Sequence, residues 1–597
     1  MSFKRSPDPG LLVVLLLFGF LAVGALFINP VQTAYGLKSD EATYVAMTLS
    51  LAHDGDLTFE EHDLARFWPL YQSGPEGIFL KRGKGTESQL YFGKSFIYPL
   101  VATPFFLLAG LNGLLLLNVL LLAGLVFCLY LFAATRMTPF HAVLVATGFL
   151  VASIAPLFAV WMMPETFNLA LVGYAYFFWI YKEVRSSDED STAVADSPTG
   201  ISTDVLGACL LGLATFSKPS NLLLILPLIG LAWWRGQFRR GLVNGVVFAL
   251  VVAAGFGINA LISGEFNYQG GDRKTFYGQF PFQSDDVTFD TAGISVTTDT
   301  VEFEGWDHLG RNIPYFLFGR HFGLIPYYFP AIVILIWALL RRRELAFWHA
   351  LIIGTVTLTT MALLIFLPNT WSGGGGPPGN RYFLSIYPVL FFLIPTTRTI
   401  LPALVMWFGG ALFVAQILVN PFVAAKRPWE NTQNGLFRLL PIELTMVNDL
   451  PVQLDQRRTR IAYGDEPPLL LYYLDNNAWR PEEPGIWIAG DARADIIIRT
   501  DPPVVGLEVS VQSPIENAAT ISLDGSTYHL DLKPNEMKTL DVPVTGVLAR
   551  KVQNFVLTVE TQTGFVPTLH DSESDDKRFL GVLIGLEKRY DTTPNSP

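Results

Sequence analysis

Apolar side chains in this chain gather in long runs, separated by short polar gaps, over the first four hundred or so positions. The run at 11–28 is long enough to span a bilayer as a helix. Further runs follow at 96–111, 114–133, 141–157, 166–181, 205–216, 222–234, 242–262, 313–340, 345–367, 382–395 and 400–419. After Asn420 the pattern changes. ADIIIRTDPP, GLEVSVQ, ATISLDG, TYHLDL, KTLDVPV and NFVLTVET alternate apolar and polar residues between Gly, Pro, Asp and Asn, which predicts half-buried antiparallel strands. The expected architecture is a polytopic α-helical membrane domain over 1–420, followed by a β-sandwich over 421–597.

Basic residues orient the helices. Arg136, Lys182 with Arg185, Arg235 with Arg239 and Arg240, Arg341 to Arg343, and Arg398 stand in short gaps and belong on the cytoplasmic side. Lys4 and Arg5 before the first run put the amino end inside as well, with a first helix that is not cleaved. If every run crossed, Arg136 and Lys182 would fall outside, so one earlier run does not span. The segment 96–111 is short, carries Pro99 and Pro104 and ends in Gly110, and is assigned to the interface. About 11 spanning helices remain. The outer face then receives the loop 29–95, the loop 263–311, short turns near Glu165, Lys218 and Arg381, and the whole carboxyl-terminal domain. The acidic, Ser-rich EVRSSDEDSTAVADSPTG reads as a cytoplasmic linker.

Composition fits that picture. The 597 residues are 51% hydrophobic and 16% charged, too apolar for a soluble globular chain of this size. A formal net charge of -11 argues against nucleic acid as a partner. Cys128 and Cys209 both lie in apolar runs, so no disulfide framework is implied.

Candidate chemistry therefore sits among the predicted outer-face groups. Asp40 and Glu41 precede Tyr44, Met47 and Leu51 at helical spacing, so the pair opens a helix that lies against the membrane; the plain alternative is a solvated loop start. Lys94, Lys218 and Arg381 come from distant parts of the chain and are all placed at one depth. Singly, such cations snorkel; together they suit a lipid-linked phosphate, with the arginine gripping two oxygens. The glycine-rich WSGGGGPPGNRYF before Arg381 lacks the GK[ST] ending of a P-loop and reads as a loop able to close on a substrate. Asp54 and Asp56 in HDGDL suggest a metal site, but an ordinary turn is the favoured reading, and no cofactor is required. Trp479 and Trp487 in the tail read as core or interface residues, the alternative being a platform for a pyranose.

Taken in order, SDEATY, the Lys94 segment YFGKSFIYPL, SKPS, FGRHFGLIPYYFP and WSGGGGPPGNRYFLSIYP resemble the GT-C membrane glycosyltransferases. The nearest branch is that of bacterial proteins similar to protein O-mannosyltransferases and aminoarabinose transferases. The resemblance covers most of 1–420 and implies a polyprenyl-phosphate sugar donor, a lipid, glycan or protein acceptor, and a place in the bacterial cytoplasmic membrane with an extracytoplasmic active site. It makes Asp40 the catalytic base, with Glu41 orienting it, and Tyr44 is counted among the substrate-binding residues. Glu165 resembles the family's second outer acidic position, and Lys94, Lys218, Arg381 and Arg320 become the phosphate-binding cations. Pro219 departs from the glycine common in the SKPS turn, and the large sandwich is not shared by all members. The reading from another class is a transporter or flippase of lipid-linked sugars, which would bind the same donor without chemistry.

Overall fold

A computed structural model describes residues 9–33, 37, 40–70, 77–84, 86–185, 198–296, 304–374, 376–433, 435–451, 461–571 and 573–590. The centre of the predicted linker falls outside them. The chain divides into two compact units. The first comprises Met1–Glu302, Phe322–Leu367 and Trp371–Lys426, and the second Phe303–His321, Pro368–Thr370 and Arg427–Pro597.

In the first unit, five described helices are long and apolar enough to cross a membrane: Gly10–Phe27, Leu111–Ala134, Phe238–Ser263, Phe347–Phe366 and Leu401–Leu418. Large apolar residues on them, including Leu15, Phe20, Leu250, Leu358 and Phe408, are exposed, as in helices that meet lipid rather than water. The expected eleven crossings are not what the fold shows. Several apolar runs break into helices too short to span about 30 Å at 1.5 Å per residue. Run 141–157 yields the helix Pro139–Val151 and a separate turn, Ala155–Ala159. Run 222–234 starts as the 3-10 segment Pro219–Ile225 before the helix Leu226–Trp234. Run 382–395 gives only Arg381–Phe391, and Leu324–Leu340 kinks at Tyr328, two residues before Pro330.

Segment 96–111 forms its own 13-residue helix, Ile97–Ala109, and folds back at Gly110 (φ 59) into Leu111–Ala134. The hairpin is tight: a Cβ on Gly113 would sit 1.9 Å from the carbonyl oxygen of Phe105, so only glycine fits. Ile97–Ala109 packs on Asp40–His53, the helix predicted to open on the paired carboxylates. Asp40 to Ser50 are buried on every face, so protein encloses this helix all round.

A feature that hydropathy does not reveal links the two large loops of this unit. Strands Thr58–Phe59, Thr86–Phe92, Ile78–Gly83, Arg273–Phe276 and Ile294–Ser295 pair, in that order, into one antiparallel sheet. Phe79 N donates to Thr43 Oγ1 at 3.0 Å, pinning the sheet to the Asp40–His53 helix.

The second unit holds the expected β-rich domain. One sheet runs Met537–Pro543, Gly506–Gln512, Leu580–Arg589, Ile486–Ala489. The other runs Ser526–Leu532, Asn517–Leu523, Val552–Thr561, Arg493–Thr500, Leu469–Tyr473, Ile461–Tyr463, with Val547–Ala549 beside Val552–Thr561. Alternate residues of both sheets, among them Ile496, Ile498, Val509, Val511, Ile521 and Leu557, fill a common core. Trp479 and Trp487 are partly buried, Trp479 under the Arg578 guanidinium and Trp487 edge-on to Phe565. The helix Trp306–Phe318 also belongs to this unit, where Asn312 accepts from Thr445 Oγ1 at 2.6 Å and donates to Pro368 O at 2.9 Å.

Candidate functional site

Five charged residues, each at or beside the end of a different element of the first unit, meet at one buried point. Asp40 opens the helix Asp40–His53, and Glu165 opens Glu165–Arg185; the partial positive charge of a helix amino end favours a carboxylate at both places. Lys94 lies just past the strand Thr86–Phe92, and Lys218 just past the helix Pro198–Ser217. Arg381 opens Arg381–Phe391 behind Asn380, whose side chain caps the helix by accepting from Phe383 N.

Asp40 is held on both oxygens. Lys94 Nζ lies 2.8 Å from Oδ1, and Arg381 Nη2 lies 2.7 Å from Oδ2. The same Nη2 lies 3.1 Å from Glu165 Oε1, which also accepts from Arg381 Nε at 3.2 Å and Lys218 Nζ at 2.8 Å. Glu165 Oε2, by contrast, is buried with no hydrogen-bond partner among the described residues. Three cations face two carboxylates, so the cluster carries one surplus positive charge in a site sheltered from water.

Burial alone would raise the Asp40 carboxyl, but Lys94 and Arg381 outweigh it and hold the group below the usual carboxylate range. Burial pushes the Lys94 ammonium down, and Asp40 offsets only part of that. Tyr44, one turn after Asp40, is buried and its ring meets Tyr98 edge-on at 6.1 Å. Burial, with Asp40 and Glu165 nearby, pushes its phenol up, so it stays a neutral donor.

Ser372 O accepts from Arg381 N at 2.8 Å, closing the glycine-rich loop on the site. A Cβ on Gly376 would lie 3.6 Å from Arg381 Nη1, so the loop runs along the guanidinium. Gly379 holds φ 92, and a Cβ there would lie 3.0 Å from Ile154, which explains glycine at that turn.

Two candidates do not join the cluster. Glu41 pairs instead with the Lys426 ammonium and accepts from Met162 N at 3.0 Å, and Lys426 also stands 4.5 Å over the Trp161 ring. Arg320 belongs to the second unit, with Asp495 at 3.2 Å. Asp54 and Asp56 go to separate partners: Asp54 to Arg66 and His62, Asp56 to Ser50 and Thr58. Asp54, His62 and Asp63 do present ligand atoms within 4.8 Å of one another, with Arg66 already supplying a counter-charge.

Sequence reasoning missed Lys426 and Arg273. Lys426 follows the last apolar run in VAAKRPW, on the tail side of the boundary that hydropathy sets at Asn420. Arg273, from the other loop of the shared sheet, stands 5.5 Å from the centre of the Phe79 ring, with Lys94 Nζ 4.3 Å from the same ring. The one available signal is a strand-like RKTF carrying two cations in the loop 263–311.

Against known proteins, no family model, curated protein or solved structure matches this chain.

Proposed function

We propose that this protein is a GT-C-like membrane glycosyltransferase, which moves a sugar from a polyprenyl-phosphate donor to an acceptor hydroxyl on the extracytoplasmic side of the bacterial cytoplasmic membrane. The observation that carries this reading is the Asp40, Glu165, Lys94, Lys218 and Arg381 cluster with its surplus positive charge. A glycosyl phosphodiester brings one negative charge and an isoprenoid chain. The surplus cation suits the first, and the exposed apolar helices suit the second.

The mechanism follows from the ion pairs. Asp40 in its paired state is a weak base, because Lys94 and Arg381 stabilise its charge. The donor phosphate competes for those two cations, so its arrival loosens their hold and makes Asp40 more basic. Asp40 then takes the proton of the acceptor hydroxyl as the new glycosidic bond forms at the anomeric carbon. The bond from that carbon to the phosphate oxygen breaks, its electron pair stays on the phosphate, and the cations stabilise the growing charge. One displacement on the face opposite the leaving group inverts the configuration. Glu165 keeps Arg381 and Lys218 in place for this step.

A carrier of lipid-linked sugars would use the same cations but needs no base between them. Purified protein in lipid nanodiscs, incubated with polyprenyl-phosphate hexoses and pentoses, tests the difference. The enzyme reading expects sugar transfer or slow release to water, abolished by Asp40→Asn. Donor binding without sugar release from any donor, together with donor movement across proteoliposomes, would establish the carrier instead.

A further inference from the structure

The sheet that delivers Lys94 also walls a cleft remote from the ion cluster in chemistry. Its volume is about 480 Å³, and its lining includes Glu61, Arg82, Phe282, Asp285, Phe289 and Asp290. The floor is fixed. Arg82 lies 2.7 Å from Asp290 and 5.0 Å from the centre of the buried Phe289 ring, while Lys274 Nζ donates to Phe289 O at 2.8 Å. The lip is held by its own hydrogen bonds, Gln283 N to Phe280 O at 3.1 Å and Val287 N to Ser284 O at 3.0 Å, so the cleft exists before any ligand arrives.

Phe282 is the unusual residue. Its φ of 71 lies in the left-handed region that an aromatic residue rarely adopts, and yet its ring is exposed at the mouth. Such backbone strain persists only where the surroundings impose it, and it concentrates at functional sites. Here it presents an aromatic face beside carboxylates and a guanidinium whose Nε is buried with no hydrogen-bond partner among the described residues. An apolar face next to charged hydrogen-bonding groups matches a pyranose, which has one apolar face and a rim of hydroxyls. Glu61, Asp285 and Asp290 still outnumber Arg82 and the Lys274 ammonium over the Phe289 ring, so the cleft keeps a net negative charge and disfavours phosphate and acidic sugars.

Position ties the cleft to the reaction. Leu90 lines it, and Lys94 follows four residues later, so their backbones are separated by at most about 14 Å. We propose that this cleft is the acceptor subsite and takes a glycan free of acidic groups, an inference that rests on the transferase reading for its place in the reaction. A glycan lying along the sheet then extends one hydroxyl toward Asp40 while its remaining sugars occupy the cleft.

The test uses the full-length protein in nanodiscs with four labelled hexasaccharides as probes: cellohexaose, mannohexaose, the chitosan hexamer and hexagalacturonate. Polyprenyl phosphate binding is measured in parallel. Saturable binding of a neutral or aminated hexamer is expected, with none for hexagalacturonate. Phe282→Ala, a change at an exposed ring, should weaken it about fivefold or more, and Glu61→Gln should relax the exclusion of hexagalacturonate. Polyprenyl phosphate binding should be the same in both variants. Glycan binding that ignores Phe282→Ala, equal binding of hexagalacturonate, or no glycan binding by protein that still binds polyprenyl phosphate would each overturn the subsite and leave the donor reading standing. Loss of polyprenyl phosphate binding by the unaltered protein would instead sink the donor reading.

Discussion

The Arg381 guanidinium lies 2.7 Å from the Asp40 carboxylate, across 341 positions of sequence. Neither group is stable alone at that depth, since a buried charge without its partner costs several kcal/mol. The pairing therefore ties the start of the Asp40–His53 helix to the glycine-rich loop ahead of Arg381–Phe391. It also sets the resting state of the proposed base.

Asp40→Asn keeps the size of the side chain but removes its charge. Donor turnover should fall by about 100-fold or more, the usual contribution of a positioned base. Donor affinity should hold or improve, because the substitution removes a carboxylate that competes with phosphate for Lys94 and Arg381. Binding and single-turnover measurements on one preparation check both, and near-normal turnover would remove Asp40 from the mechanism.

Lys94→Met and Lys218→Met should each raise the dissociation constant for polyprenyl phosphate about tenfold, as loss of one charge-assisted hydrogen bond predicts. Unchanged affinity in both variants would make these lysines structural partners of Asp40 and Glu165 and nothing more.

The lowered Lys94 ammonium has a consequence for pH. In the proposed mechanism donor binding needs it charged, so affinity should decline on the alkaline side before the ordinary lysine value of 10.5. Lys94→Arg should move that decline to higher pH, since a guanidinium stays protonated. Asp40 acts at the other end: its lowered carboxyl adds stability above the unfolded value of about 3.9, lost only as pH falls through its still lower folded value. Titrating donor affinity from neutral to alkaline pH in both proteins reads the first effect, and a coincident decline in the two would refute it.

Asp63 behaves in the opposite sense. Burial raises its carboxyl to about 6, so the folded protein favours the protonated form, and stability is lost as pH rises through that value. Asp63→Asn should therefore raise the thermal midpoint above pH 6, with the gain fading toward pH 4. An equal gain at both ends of this range would mean the carboxyl is not responsible.

Glu41→Gln should act on stability before catalysis. It leaves the buried Lys426 ammonium without its carboxylate, at a cost of about 3 to 5 kcal/mol. Adding Lys426→Met should restore much of the loss. If the single variant unfolded normally but lost turnover, Glu41 would be acting on Asp40 after all.

Much about this protein is written in local pattern. Unbroken apolar runs have few destinations other than lipid, and strict alternation after Asn420 suits strands with one face on a core, so membrane helices and a β domain are both legible residue by residue. The Asp40–His53 helix was legible for the same reason, through the spacing of Tyr44, Met47 and Leu51. Hydropathy does not report where a run bends or stops: Tyr328 and the break between Val151 and Ala155 depend on packing, and so the count of long helices had to come from the fold. Partners were still less legible. Glu41 is one residue from Asp40, but successive side chains on a helix diverge by about 100°. One therefore meets Arg381 and the other Lys426, both far away in sequence. Arg273 opens a short strand and Phe282 follows it in the same long loop; antiparallel pairing with Ile78–Gly83 sets that strand next but one to Thr86–Phe92, the strand that ends near Lys94. Pattern is set by the solvent each residue must face, whereas a charge cluster is set by which chain ends the tertiary fold brings together.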